Sequence, residues 1–246
     1  MLQKDLYIYG LRPVLEAIEA GKEVEKLMIQ KGLKGELSAD LLKIASEHQI
    51  PVQWVPVEKL NRLAVKNHQG VIAIASPISY FRIEDIIPGL FELGKSPVIL
   101  ILDGLTDVRN VGAIARTAEC AGVDALIIPV RGFAQLNADA VKTSAGALAR
   151  IPVCRSPNLY RTCMYLKNCG LQLIACTEKA SVVYHRINYQ IPSAIIMGAE
   201  DKGISSNLLK LADQHASIPL LGEIQSLNVS VATGVILYEL VRQRQG

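Results

Sequence analysis

The sequence predicts an α/β chain, with a small N-terminal α/β domain ahead of a larger domain built on a mostly parallel sheet. Three observations carry this. From Val98 onward the apolar runs "VILILD", "DALIIP", "LQLIACT", "AIIMGAE" and "ASIPL" alternate with helical patterns. Unbroken runs of this kind suit strands buried on both faces of a parallel sheet. The first part of the chain has shorter strands and helices of its own, separated from the rest by a Pro- and Gly-bearing stretch. Finally, 246 residues of which 50% are hydrophobic are enough to bury a large core, as one domain or two unequal ones.

Taken in order, "YGLRPVLEAIEAG" places Leu11, Val14, Leu15 and Ile18 at helical spacing, with Gly21 as a stop. "KLMIQ" is a short strand, and "SADLLKIASEHQI" a helix with Ser38 or Asp40 near its start as a cap. "VQWVP" and "GVIAIAS" are further strands that complete a domain over 1–75. "SPISYFRIEDIIPGLFELGKSP" holds three prolines and two glycines and reads as a linker, 76–82, followed by one short amphipathic helix. The second domain then runs over 83–246 and ends in the helical "NVSVATGVILYELVRQRQ", whose last turn is basic.

Composition narrows the function classes. No apolar run approaches the ~20 residues that span a bilayer, and Met1 to Asp5 does not open a signal peptide. A soluble, cytoplasmic protein with no membrane partner is the expectation. Five cysteines without a Cys-x-x-Cys pair, and four histidines never at ligand spacing, argue for incidental thiols and no metal. A net charge of +3 leaves any nucleic-acid role to local placement of basic residues.

Three loops after strands carry the chemistry. "VILILDGLTDVRNVGAIARTAECAGVDALIIP" is a strand–loop–helix–strand unit of the nucleotide-cradling sort, yet it has no Gly-x-Gly-x-x-Gly and no phosphate-loop lysine. Asn110 and Arg116 stand there instead. Asn110 is an N-cap by type. Gly112, four residues before Arg116, would leave room for a bulky partner to reach the guanidinium, and Arg109 and Arg116 face the same way, which suits a phosphate. The plainer alternative for Arg116 is an ion pair with Glu119. In "IIMGAEDKGI", Gly198 and Gly203 would permit close backbone approach to a ligand. Glu200 either bonds a hydroxyl or amide or is an ordinary acid at a helix start. In "ASIPLLGEIQSLNVSVATG", Ser226 and Asn228 bracket Leu227, either capping the last helix or orienting a ligand beside an apolar wall.

Asn-x-Gly-x-x-x-Arg, then Met-Gly-Ala-Glu-x-x-Gly, then Ile-Pro-Leu with Ser-Leu-Asn-Val-Ser-Val-Ala resemble, in order and spacing, the three signature motifs of the SpoU family of RNA ribose 2′-O-methyltransferases. "YGLRPVLEAI" and "HQGVIA" look like the ends of the small RNA-binding domain of the RlmB-like branch. One departure is Leu11-Arg12-Pro13, where that branch usually has an Arg-Asn type of pair after the first glycine.

The resemblance implies a SPOUT fold with a deep trefoil knot, working as a homodimer with S-adenosylmethionine. It implies a cofactor cleft of Thr177, Gly198, Ile218 and Leu227, with Arg116, Asn110, Glu200, Ser226 and Asn228 catalytic. Some members are held to use the motif-one arginine as the base. A guanidinium with a pKa above ~12 is better suited to clamp the target phosphate. The basic Arg131, Lys142 and Arg150, with the His68-Gln69-Gly70 corner, would face RNA. The "VKTSAGALARIPV" stretch, with Ser144, Gly146 and Ala147, would pack against RNA or the partner subunit. A guanosine in large-subunit (23S) ribosomal RNA is the expected target, with transfer RNA or a non-catalytic assembly factor as alternatives.

Overall fold

A computed structural model of the chain describes residues 7–63 and 67–245. Met1 to Asp5, where no signal peptide is read, lies outside the described residues. The chain divides into two compact units, Met1–Ser79 and Tyr80–Gly246.

The small unit runs β1 (Tyr7–Tyr9), α1 (Leu11–Glu19), β2 (Val24–Gln30), α2 (Glu36–Glu47), β3 (Val52–Val55), α3 (Val57–Leu63) and β4 (Val71–Ala75). Its sheet has the order β1-β4-β2-β3, parallel only between β2 and β3. Helix α1 buries Val14, Leu15 and Ile18, the face its spacing marks, and the left-handed Gly21 (φ 78°) follows its end. Its start has no capping side chain of its own, because Gly10 stands there. Gln69 Oε1 accepts from the Leu11 N–H at 3.3 Å instead. Helix α2 does not start at Ser38 or Asp40. It begins after Gly35, and Ser38 lies one turn in, buried on the same face as Leu41 and Ala45. A serine three and seven residues before core positions shares their face, and burial there overrides its capping preference.

The large unit runs β5 (Tyr80–Phe81), α4 (Ile83–Glu92), β6 (Val98–Asp103), α5 (Val108–Cys120), β7 (Ala125–Pro129), α6 (Ala138–Thr143), β8 (Val153–Ser156), α7 (Leu159–Asn168), β9 (Gln172–Cys176), β10 (Val182–Val183), β11 (Ser193–Gly198), α8 (Ser206–Leu211), β12 (Gln214–Ser217) and α9 (Val229–Gln245). Among the described residues its sheet is eight-stranded and parallel throughout, in the order β10-β12-β9-β11-β6-β7-β8-β5. Strand β5 falls inside the stretch read as linker, and β8 carries Arg155 and Ser156, which hide it from an apolar-run search. Arg155 is nonetheless buried, its guanidinium carbon 3.4 Å above the Tyr80 ring.

Strand β6 shows why the runs are continuous. Ile99 and Ile101 join Ile127, Leu173, Ala194 and Ile196 in a core closed by α4, α7 and α8. Leu100 and Leu102 alternate to the other face and are equally buried. There α5 packs on α6 and α9, and α9 on β11. Each such Leu or Ile contributes about 1.5–3 kcal/mol of burial. Two layers of helices therefore demand apolar residues at every strand position.

The chain moves from β6 out through β7 and β8, then returns to place β9 on the opposite side and later threads β11 between β9 and β6. Ligands of open α/β sheets bind where the order reverses, beyond the carboxyl ends of the strands. Among the described residues no helix is long and apolar enough to cross a membrane.

Candidate active site

Strands β12, β9, β11 and β6 are parallel neighbours, so their carboxyl ends lie side by side. The registers Gly198↔Asp103, Met197↔Cys176 and Cys176↔Ala216 fix this edge. Thr177 and Gly198 stand on it, and Ile218 follows β12 at the same end. Thr177 is tied down by its N–H, which donates to the Ala216 carbonyl at 2.9 Å.

The loop after β11 is a tight return. Ala199 and Gly203 exchange backbone hydrogen bonds at 3.2 and 2.8 Å, and Asp103 Oδ2 accepts from the Ser205 N–H at 2.7 Å. Sequence inspection singled out neither this aspartate nor its role as an anchor for the loop. The loop itself requires a glycine at 198. A Cβ there would collide with the Gly203 carbonyl group and the Ile204 nitrogen.

Helix α5 begins at Val108, with Asp107 as N-cap accepting from the Arg109 N–H at 2.7 Å. Asn110 is thus not the cap, and its side chain is free for the site. Gly112 does not open space towards Arg116 either. It is buried, and a Cβ there would lie 2.7 Å from Thr143 Cβ of α6. Ser144 and Ala147 of the small-residue stretch are buried in the same way, and Ser144 Oγ donates to the Val141 carbonyl at 2.8 Å. Their smallness serves packing inside the unit.

Three distant residues meet beyond the sheet edge. Asn110 Nδ2 donates to Glu200 Oε1 at 2.5 Å. Asn228 Nδ2 donates to Asn110 Oδ1 at 3.1 Å and to Glu200 Oε1 at 3.2 Å. Asn228 does two tasks, because its Oδ1 accepts from the Ser230 N–H at 2.9 Å and the Ser230 hydroxyl at 2.6 Å, capping α9. That cap fixes which way the amide points and so turns Nδ2 towards the carboxylate; amide orientation follows from the network. Among the described residues Glu200 Oε2 accepts no hydrogen bond from the chain, which leaves an exposed acceptor for a hydroxyl or amine.

Arg116 is not part of this cluster. Six residues along α5 from Asn110, it lies about 9 Å further along the axis and about a third of a turn round it, on the exposed face it shares with Arg109. Glu119 does not take it as partner, and pairs with Arg150 at 3.8 Å. Ser226 is exposed in the loop before α9, where Leu221, Ile224 and Leu227 are 100%, 80% and 39% exposed. Apolar side chains held out in this way next to strand ends fit an adenine-bearing cofactor, for which the edge also supplies backbone groups. The buried thiols of Cys154 and Cys163 and the half-buried thiol of Cys176 are pushed up to about 12 by desolvation, which disfavours the thiolate. Among the described residues no cluster of three His, Cys, Asp or Glu can hold a metal.

In the small unit, the His68-Gln69-Gly70 corner is held from within. His68 Nδ1 accepts from the Gly70 N–H at 2.9 Å, which makes Nε2–H the donor to Asn61 Oδ1 at 2.7 Å, and Gln69 is engaged at the start of α1.

Residues 97–238 match the SpoU rRNA Methylase family, and residues 7–81 match the RNA 2′-O ribose methyltransferase substrate binding domain. A putative TrmH family tRNA/rRNA methyltransferase of Staphylococcus epidermidis is 36% identical over 241 residues, covering 98% of this chain and 97% of that protein. Among solved structures, the AdoMet-bound rRNA methyltransferase from Sinorhizobium meliloti is similar at 25% identity and a TM-score of 0.62, over 96% of this chain and 87% of that one. The A. aeolicus TrmH/SpoU tRNA modifying enzyme is 31% identical with a TM-score of 0.56, over 66% and 84% of the two chains.

Proposed function

The chain belongs to the SpoU rRNA methylase family, and from that premise we propose that it is an RNA ribose 2′-O-methyltransferase of the RlmB-like branch, acting in the cytoplasm on a guanosine of large-subunit ribosomal RNA. The observation that supports the chemistry best is the meeting of Asn110 from the first turn of α5 with Glu200 and Asn228 from two loops beside the strand ends.

S-adenosylmethionine supplies an electrophilic methyl group on a sulfonium. In this reading Thr177, Gly198, Ile218 and Leu227 hold it, the strand-end backbone reading the adenine edge and the two apolar side chains forming the walls. The ribose hydroxyl is a weak nucleophile, and the protein's contribution is to place it in line, which is worth several kcal/mol (up to roughly 7–11 for ideal geometry). Glu200 Oε2 accepts a hydrogen bond from a substrate or cofactor group, while Asn110 and Asn228 hold the carboxylate still through Oε1. Ser226 contributes its hydroxyl from the exposed loop that carries Leu227.

Arg116 clamps the phosphate beside the target ribose with its guanidinium fork. Its separation from Glu200 within one chain favours a homodimer in which each protomer's Arg116 completes the other's site. The half-exposed Val231 and Tyr238, seven residues apart on one face of α9, suit that interface. The threading of β11 between β9 and β6 agrees with the trefoil knot of the family. Transfer RNA is the second reading, favoured by the tRNA/rRNA description of the 36%-identical relative.

The test is methyl transfer from labelled S-adenosylmethionine to total RNA from cells lacking this gene, followed by mapping of ribose methylation. Arg116→Ala is expected to lower transfer at least a hundredfold with cofactor affinity changed by no more than about twofold, as removal of a group that acts on the transition state requires. Near-parental turnover would remove Arg116 from the mechanism. Methylation confined to transfer RNA would replace the ribosomal target.

A further inference from the structure

The small unit has two faces of opposite character. Side chains alternate along a strand, so Leu27, Ile29, Val71 and Ala73 meet α1 and α2 in one core. Their neighbours point the other way and fall into two rows across the sheet. One row is Lys26, Ile74 and Tyr7; the next is Met28, Ile72 and Tyr9. Helix α3 closes only part of this second face, where Leu60 packs with Met28, Val55 and Ile72. Tyr7, Tyr9 and Ile74 pack against the edge of this cluster and, with Lys26, are left half-buried among the described residues. The two tyrosine rings lie side by side, centroids 6.2 Å apart and tilted by 30°.

Charge distinguishes the two faces further. Lys59 is exposed on α3, which packs on β2, the strand that carries Lys26. Burial lowers the Lys26 pKa, and the Lys59 charge lowers it again against an opposite pull from Glu25. Two ammonium groups on neighbouring elements attract an anion. The groove between α1 and α2 is the reverse, lined by Glu16, Glu19, Asp40 and Glu47 against Arg12 and Lys43. That rim repels a polyanion. Both ring nitrogens of His68 and the Gln69 side-chain oxygen are already engaged within the unit.

Resting on the reading of the chain as an RNA methyltransferase, we propose that the open sheet face binds two successive unpaired bases of the substrate. Tyr7 and Tyr9 each stack one base, and Lys26 with Lys59 holds the phosphate between them. Unpaired bases offer faces that a duplex hides, and aromatic side chains on a positively charged surface are the general means of taking them. The rings, spaced by two residues along β1, present separate platforms and not one sandwich. A leucine pair would fill the same core space without a π-face, so the residue type and not only its bulk carries the argument.

The experiment uses the full chain and a short fluorescein-labelled single-stranded oligoribonucleotide, with the matching duplex as control. Tyr7→Phe with Tyr9→Phe is expected to bind the single strand as the parent does. Tyr7→Leu with Tyr9→Leu is expected to lose about tenfold or more, the loss of at least one stacked base. Lys26→Gln with Lys59→Gln should reduce the slope of log affinity against log salt by about 0.7, one phosphate on a single strand. Should the leucine pair not fold, ultraviolet cross-linking of the unsubstituted chain to thiouridine-containing RNA is the second measurement, with a cross-link at Tyr7 or Tyr9 expected. Parental binding by the leucine pair, equal affinity for duplex, an unchanged salt slope, or cross-links confined to the larger unit would each overturn the platform. Methyl transfer by the parent chain is followed in parallel. A parent that methylates RNA while the leucine pair binds normally sinks the platform alone; a parent that methylates nothing while the leucine pair loses binding sinks only the enzymatic reading.

Discussion

Replacing Gly198 by alanine tests whether the strand-end loop, and not glycine flexibility, builds the cofactor site. Gly198 is not in a left-handed conformation, so an alanine meets no backbone strain there. The obstacle is steric. Its Cβ would lie 2.6 Å from the Gly203 carbonyl oxygen and closer still to the Gly203 carbonyl carbon and the Ile204 nitrogen. Ordinary contact begins at about 3.4 Å, so the returning backbone must retreat by about 0.8 Å or more. Backbone cannot rotate aside as a side chain does. The retreat must break the Ala199–Gly203 pairing or the Ser205 N–H bond to Asp103. Overpacking of this kind costs about 1–3 kcal/mol, a fall in Tm of roughly 2–12 °C for a unit of this size. A displacement near 1 Å in a positioning loop lowers turnover by about a hundredfold. Differential scanning calorimetry, titration calorimetry with S-adenosylmethionine and initial rates of methyl transfer read these three effects. Gly222→Ala is the control, since a Cβ there meets nothing within 4 Å. Parental melting and cofactor affinity in Gly198→Ala would refute the reasoning.

Asn228→Asp separates the two tasks of that residue. The cap on α9 survives, so Tm is expected within about 2 °C of the parent, where Asn228→Ala loses about 1 kcal/mol. Both donors to the cluster are lost, and a second carboxylate now faces Glu200 across the 3.2 Å contact. Methyl transfer should fall at least about tenfold at neutral pH and recover in part on acidification, as the pair takes up one proton; a pH–rate profile parallel to the parent's would exclude this role. Glu239→Gln addresses stability. Hydrogen bonds from Arg242 at 2.8 and 2.7 Å, aided by Gln243 at 2.8 Å, hold the Glu239 carboxyl at about 2. Its folded pKa is depressed, so the stabilisation is present above the ordinary value of 4.5 and is lost as pH falls from there towards about 2. The substitution should cost on the order of 1 kcal/mol at pH 7, a figure discounted for the exposed guanidinium, and flatten the acid limb of Tm against pH. An unchanged acid limb would show that the pair is screened out.

Much of the large unit is legible in the residues alone. Its apolar runs give β6, β7, β9 and β11, because a strand covered by helices on both faces has no polar position to hide it. The same logic explains what is illegible. Strand β8 contains Arg155, whose guanidinium is covered by the Tyr80 ring, and β5 is two residues long. A good capping type misleads when the residue is needed elsewhere: Ser38, a capping type near the start of α2, lies in the core instead, and Asp107, not Asn110, caps α5.

By itself the sequence determined the α/β class and the strand-bearing runs, and its three spaced motifs offered Asn110, Glu200 and Asn228, together with Arg116 and Ser226, as one candidate set. These depend on side-chain type and local periodicity, which a linear chain displays. Only the tertiary structure decided that the three residues share one carboxylate oxygen, that Gly112 and Gly198 are small for Thr143 and for the Gly203–Ile204 backbone, and that Arg116 stands apart from the cluster. Those facts turn on which strands become neighbours and which helix crosses which. Apart from the short return of Gly198 onto Gly203 and Ile204, these contacts join residues some 30 to 120 positions apart; they are set by the packing of the sheet and its covering helices, and no local pattern carries them.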